Sequence, residues 1–285
     1  MNAVPMGGDS YATKGDWWED RRLFDAGLDM TGKQKPHVLI VPTARAVSQK
    51  ASDRVVGNLS TYYAERGAEA TALHPYLYTQ VEEPVPYWGT KVVDPAKVPS
   101  ASELAEKTEA ADLIFILGGD TNRMLNQVWK PTGIDSLLLK AMRQGTVVSG
   151  TSAGTVAWFS GGHSAGSSFN INRKSDKPNP FHYAKALGAI SSTVVCPHYE
   201  ASPQNRSREK SFKNMMYRRR YLGELGVGIT AQAALQISAG GLTSMIRGTG
   251  KGDPYIEMMH YRTGSRSSQK ITAADGSFPF SKLLS

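Results

Sequence analysis

The sequence predicts an α/β fold in three layers, a mostly parallel sheet covered by helices on both faces. Three observations carry that expectation. Short apolar runs alternate with stretches of helical spacing, which implies right-handed βαβ units and parallel strands. Two glycine-rich turns, Gly118-Gly119 and Gly150 to Gly154, each come directly after such a run. From Val227 onward the helical stretches stop and four short strands follow one another, which adds antiparallel strands at one end.

Taken in order, Val38-Leu39-Ile40-Val41 reads as a buried strand ended by Pro42-Thr43. Residues 46 to 66 read as a helix, with Val55, Val56, Leu59 and Tyr63 on one face and Gly67 as its stop. Ala70 to Leu73 is a short strand. Residues 75–99, rich in proline and aromatics, read as an insertion. Ser102 to Ala111 is helical, with Ser102 as the expected cap and Glu103 and Glu106 in its first turn. Leu113 to Leu117 is the strongest strand and runs into Gly118-Gly119-Asp120. Thr121 to Trp129 and Ile134 to Arg143 are expected helices. Thr146 to Ser149 is the next strand and enters Gly150-Thr151-Ser152-Ala153-Gly154. Residues 161–185, heavy in Gly, Ser, Asn and Pro, read as a long loop. Ser192 to Cys196 is a strand ending at Pro197-His198, and a basic helix covers 204 to 222. The closing strands are Val227–Ile229, Ala234–Ile237, Leu242–Ile246 and Tyr255–His260.

Composition narrows the class. The chain has 285 residues, 40% of them hydrophobic and 20% charged, which is globular, and residues 1–285 read as a single domain. No apolar run reaches the roughly 18 residues of a membrane span. Met1 to Gly15 has no basic stretch followed by an apolar one, so a Sec-type signal is not expected, and the chain reads as cytoplasmic. A single cysteine, Cys196, excludes an intramolecular disulfide and a cysteine-based zinc site. The net charge of +8 raises the question of nucleic acid. The basic run Arg218-Arg219-Arg220, with Arg206, Arg208, Lys210 and Lys213 before it, has no accompanying binding motif and reads first as a solvated helix face. The second reading is a pocket for an acidic substrate.

Gly150-Thr151-Ser152-Ala153-Gly154 matches G-x-S-x-G between strand and helix, the context a nucleophile elbow requires. Ser152 would then be presented above the sheet, with the Ala153 N–H facing a developing oxyanion. A Gly/Ser-rich turn without chemistry, or a phosphate-binding turn, is the alternative. Gly119 lies 33 residues before Ser152, about one βαβ unit, so the two turns should sit side by side and Gly119 could give a second oxyanion N–H. No G-x-x-x-x-G-K or G-x-G-x-x-G is present to support a phosphate cradle, and no H-E-x-x-H to support a zinc hydrolase. Among six histidines, His198 lies at a strand's carboxyl end beyond Ser152. His260, in a late strand, is the base an α/β-hydrolase esterase would use.

Leu117-Gly118-Gly119-Asp120-Thr121, Gly150-Thr151-Ser152-Ala153-Gly154 and Cys196-Pro197-His198-Tyr199 together resemble the serine peptidase family of dipeptidase E and cyanophycinase. Pro42-Thr43-Ala44, Ala157-Trp158-Phe159 and Ala233-Ala234-Leu235 fit it too, so the resemblance runs over roughly residues 35 to 250 in order. It implies a class I glutamine-amidotransferase-like α/β fold, with Ser152 as nucleophile, His198 as base, and Gly119 and Ala153 as the oxyanion donors. It implies hydrolysis of small peptides, typically after aspartate, with no metal or other cofactor. Arg208-Glu209 resembles an Arg-Glu pair that follows the catalytic histidine in dipeptidase E, so Arg206 and Arg208 are the candidate holders of a substrate carboxylate. The expected partner is a small peptide, with neither nucleic acid nor membrane, and a homodimer is the oligomer to look for.

The chain departs from that pattern at the third catalytic residue. Where the family has an acid after the elbow, this chain has Gly162-His163-Ser164-Ala165-Gly166, and before Ala-Ala-Leu it has Thr230-Ala231-Gln232. Glu200 is the nearest candidate. A missing acid predicts a slow enzyme, or a family member that binds a peptide or small anion without turning it over.

Overall fold

In the computed structural model the described residues are 1–8, 21–45, 49–73, 78–80, 91–93, 99–164, 182–200, 208–219, 225–248, 253–262, 265–272, 274 and 276–279. The elements run β1 (Ala3–Met6), α1 (Arg21–Asp29), β2 (His37–Val41), a 3-10 turn (Thr43–Arg45), α2 (Gln49–Ala64), β3 (Glu69–Ala72), β4 (Tyr78–Gln80), β5 (Lys91–Val93), α3 (Ala101–Glu109) and β6 (Leu113–Ile116). A π-helical segment (Arg123–Trp129) leads through the single turn α4 (Lys130–Thr132) into α5 (Ile134–Arg143), β7 (Val147–Thr151), α6 (Ala153–Trp158), β8 (Phe159–Ser164), β9 (His182–Lys185) and β10 (Ile190–Pro197). Helix α7 (Arg208–Arg219) precedes β11 (Leu225–Ile229), β12 (Ala233–Ile237), β13 (Leu242–Arg247), β14 (Ile256–Arg262), β15 (Ser265–Ile271) and β16 (Phe278–Pro279).

The fold is α/β, as the alternation implied, but its strands divide between two sheets. The first has the order β16-β13-β12-β1-β7-β6-β2-β3, with β1, β7, β6, β2 and β3 mutually parallel and β12, β13 and β16 added antiparallel. The second has the order β15-β14-β11-β10-β8-β9, with β8, β10 and β11 parallel at its centre. Apolar side chains cover both faces of the first sheet. Phe24, Val55, Leu59, Tyr62 and Tyr63 from α1 and α2 pack on one side with Phe115. Met124, Trp129, Leu138, Val156 and Trp158 pack on the other, in a core shared with Val195 and Val227 of the second sheet. Helix α6 is in contact with β7, β8 and β10 and therefore joins the sheets.

Several expectations need correction. Ser100, not Ser102, caps α3: its Oγ accepts the Glu103 N–H at 3.2 Å, and Ser102 Oγ lies 3.0 Å from it. The helix expected over Thr121–Trp129 is present and is π-helical over Arg123–Trp129, with Pro131 following it. Residues 161–185 are not a loop at either end. Gly161–Ser164 belongs to β8 and His182–Lys185 is β9, paired antiparallel, while 165–181 lie outside the described residues. Gly161 and Gly162 read as loop residues because they lack side chains. In the sheet that lack is needed, since a Cβ on Gly161 would lie 2.5 Å from the Tyr183 ring and one on Gly162 2.7 Å from Val156. Most of 75–99 also lies outside the described residues, and its described parts, β4 and β5, pair as a two-stranded ribbon. The basic helix is not a solvated face throughout, because Arg208, Ser211, Phe212 and Met216 turn inward.

Candidate active site

The first sheet brings three strand ends to one place. In β6 and β7, Ile116 pairs with Gly150, and in β1 and β7, Met6 pairs with Thr151. The chain past each of these positions therefore leaves the sheet beside the others: Gly7-Gly8, Gly118-Gly119 and Ser152. Two side chains fix the arrangement. Thr151 Oγ1 accepts the Gly118 N–H at 3.1 Å. Thr155, fully buried in α6, accepts the Met6 N–H at 3.0 Å and has its hydroxyl 2.5 Å from Met6 O and 2.7 Å from Gly150 O.

Ser152 sits at the tip with φ 52° and ψ −110°. Few non-glycine residues adopt that conformation, and it costs on the order of 1–3 kcal/mol. The flanking glycines explain how the turn closes. A Cβ on Gly150 would stand 2.7 Å from the Gly154 backbone, and one on Gly154 would stand 2.1 Å from Ile116 O. The expected elbow is thus present, with α6 starting at Ala153. As the first residue of that helix, Ala153 has an N–H with no intrahelical acceptor. Gly119 is exposed after β6, between Gly118, whose N–H goes to Thr151, and Asp120, whose N–H goes to Ala44 O at 2.8 Å. Asp120 Oδ1 caps the next turn by accepting the Arg123 N–H at 3.0 Å.

His198 follows β10, in the second sheet, and is carried to the elbow by β1. Its backbone N–H donates to Gly7 O at 2.7 Å, and a Cβ on Gly8 would lie 2.4 Å from its Nδ1. The imidazole therefore rests against the glycine backbone that follows β1, the strand paired with β7 and its elbow. His198 also has a positive φ, 50°, and is partly exposed. Burial, and then the Arg208 guanidinium, push its pKa down to about 3, so the ring is neutral at physiological pH.

The remaining candidates fall in different places. Glu200 is not on the imidazole: its Oε2 accepts the Ala231 N–H at 2.7 Å. Among the described residues no carboxylate is bonded to the His198 ring. His163, at the end of β8 where the family pattern has its acid, is buried, with Nε2 2.9 Å from Ser211 Oγ and Nδ1 3.5 Å from Cys196 Sγ. Arg208 is 3% exposed and donates from Nη2 to His163 O at 3.0 Å, which places a buried positive charge on the His198 side of the second sheet. Arg206 lies outside the described residues. His260 is remote from the other candidates. It pairs with Leu225 at the start of β11, whereas Pro197 pairs with Ile229 at its end, a separation of about 13 Å along the strand.

Sequence reasoning missed β1 and the Gly7-Gly8 that follows it. Proline is usually confined to strand edges, yet β1, which contains Pro5, lies between β7 and β12. The available signal was its ending: Met6-Gly7-Gly8 closes β1 as Leu117-Gly118-Gly119 closes β6.

Comparisons with known proteins give the family and the fold. The model of peptidase family S51 matches residues 88–245. The chain is 26% identical over 203 residues to the uncharacterised peptidase YgaJ of Bacillus subtilis (strain 168), an alignment covering 71% of this chain and 70% of that one. The crystal structure of a peptidase from an acI-B1 Actinobacterium superposes with a TM-score of 0.57 at 18% identity, covering 98% of this chain and 96% of the other. A protein of Listeria monocytogenes EGD-e assigned as peptidase E superposes with a TM-score of 0.54 at 18% identity, covering 86% of this chain and 98% of the other. Both structures share the fold.

Proposed function

We propose that this chain, which belongs to peptidase family S51 and is a serine-type peptidase, hydrolyses short peptides, dipeptides with an N-terminal aspartate foremost, through an acyl-enzyme on Ser152. The observation that carries the reading is the strained Ser152 elbow at the end of β7, with the His198 ring packed on Gly8 just past the end of the neighbouring strand β1.

In this mechanism His198 takes the Ser152 hydroxyl proton as Oγ attacks the scissile carbonyl. The carbonyl oxygen, now negative, is held by the Gly119 and Ala153 N–H groups. His198 then gives its proton to the leaving amine, and water, activated by the same ring, releases the acid product and regenerates the serine. No metal is called on in any step. The buried Arg208 charge supports a preference for an acidic side chain, because a guanidinium holds a carboxylate through parallel hydrogen bonds.

Two observations favour slow turnover over the speed of a complete triad. Glu200 is engaged by Ala231 rather than by the imidazole, and the depressed proton affinity of His198 lies well below the near-neutral value that suits a general base.

A fluorophosphonate probe and a dipeptide panel test the reading. Ser152→Ala should remove labelling and hydrolysis together while leaving the protein folded, and His198→Ala should lower kcat by about a thousandfold. Asp-Xaa should be cleaved better than Ala-Xaa or Lys-Xaa, and Arg208→Ala should erase that preference. Labelling that persists in Ser152→Ala would sink the nucleophile, and equal kcat/KM across the panel would sink the acidic preference.

A further inference from the structure

We infer that Glu257 is a positioning residue for His198, acting through Tyr199 and helix α7. The inference rests on the reading of His198 as the base. Tyr199 follows His198 in the chain, and its ring is fully buried. It lies flat against β11 at Gly228, where a Cβ would stand 2.6 Å from the ring carbons. Gly228 pairs directly with Glu257 of β14. One strand thus leaves room for the ring, and its neighbour supplies the acceptor for the hydroxyl: Tyr199 Oη donates to Glu257 Oε2 at 2.8 Å.

The other carboxylate oxygen holds α7. Lys213 Nζ lies 3.1 Å from Glu257 Oε1 and 2.7 Å from Glu209 Oε1. Glu257 therefore grips the chain on both sides of the connection between His198 and α7, immediately after the imidazole at Tyr199 and again at Lys213. Packing alone does not call for such a residue. Glu257 is 2% exposed, and a buried carboxylate gives no more stability than an apolar side chain of its size. Burial works against its charge, but the bonds from Tyr199 and Lys213 outweigh it and keep the carboxyl ionised below its ordinary range.

His198 needs such support because it is held at a positive φ, which persists only where surrounding contacts over-determine it. Its own N–H goes to Gly7 O and the Tyr199 N–H to Ile229 O at 3.1 Å. These bonds fix the backbone, and the Tyr199 anchor fixes the direction in which the chain leaves it. A shift of about 1 Å in a base is enough to cost about a hundredfold in rate.

The experiment compares kcat, KM, the rate of fluorophosphonate labelling and the thermal midpoint in Tyr199→Phe, Glu257→Gln, Lys213→Met and Lys213→Arg, with His198→Asn as reference. Tyr199→Phe and Glu257→Gln should lower kcat and labelling rate together by about 10- to 100-fold, with KM within about twofold of the parent. Lys213→Met, at the partly exposed end of the clamp, should lower kcat in the same way, and Lys213→Arg should restore it. This variant carries the test if Glu257→Gln does not fold. Parent-like kcat in folded Tyr199→Phe and Lys213→Met would overturn the clamp while leaving His198 as the base, and so would losses of activity that track the thermal midpoint alone. Full activity in His198→Asn would overturn the reading of the site itself.

Discussion

Four non-glycine residues have a positive φ among those described: Ser152, Ser192, His198 and Gln232. Ser152 and His198 are the candidate nucleophile and base, and Gln232 follows Ala231, whose N–H holds Glu200. Strain of this kind collects where surrounding contacts over-determine the backbone, and two of the four cases here are the candidate nucleophile and base. Ser152 gives the cleanest measurement. Glycine enters φ 52°, ψ −110° freely, whereas alanine keeps the Cβ that makes the conformation costly. Both Ser152→Gly and Ser152→Ala should be inactive. Ser152→Gly should nevertheless be the more stable by about 1 kcal/mol, despite the larger entropy a glycine loses on folding. Urea midpoints of the two variants decide this, and a more stable Ser152→Ala would mean that the elbow stores no strain.

At the scale of elements, the junction of β1, β7 and α6 depends on Thr155. Its hydroxyl answers the Met6 N–H and reaches the carbonyls of Met6 and Gly150, all out of contact with water. Thr155→Val keeps the shape and removes every one of these bonds, so it should cost about 1–3 kcal/mol, whereas Thr155→Ser should be close to neutral. Equal midpoints for the two variants would show that β1 is held by its ladder alone. The same junction marks the limit of what the sequence discloses. Strands β2, β6, β7 and β10 are legible because each is a run of buried apolar residues ending in a turn, and the Gly-Thr-Ser-Ala-Gly elbow is legible because sterics leave no choice at Gly150 and Gly154. Strand β1 is not, because four residues including a proline carry no period. The split into two sheets is not, because β8 begins with Phe-Ser-Gly-Gly, and its glycines are chosen by Tyr183 and Val156, which lie distant in sequence or in the preceding helix. Glu257 could not be tied to His198, because only the register of β11 and β14 brings it to Tyr199.

For the whole molecule, groups held neutral inside the fold set the pH range over which it is stable. His198 stays neutral in the folded protein down to about pH 3, while in the unfolded chain it takes a proton near pH 6.5. Unfolding therefore binds a proton between those values, and stability falls as pH drops below about 6.5. Glu257 and Asp112, both ionised below their ordinary range, act in the same direction, but only once the pH approaches the ordinary carboxylate values of 4.5 and 3.8. On the alkaline side the order reverses. Burial pushes the Cys196 thiol up to about 12 from an ordinary 9.0, so unfolding releases a proton in that window and stability falls as pH rises through it. Tyr62, Tyr63 and Tyr199 are raised chiefly by burial and add to the loss above their ordinary 10.0. The stability plateau should therefore span about pH 6.5 to 9. Between pH 6.5 and 4.5 His198 acts before the carboxylates do, and one extra proton bound by the unfolded chain is worth about 1.4 kcal/mol per pH unit. His198→Asn should flatten that segment, since asparagine tolerates a positive φ and carries no titrating group. Urea midpoints for parent and variant across pH 4 to 11 measure it, and an acid-side slope that is the same in both would show that the imidazole is not held neutral by the fold.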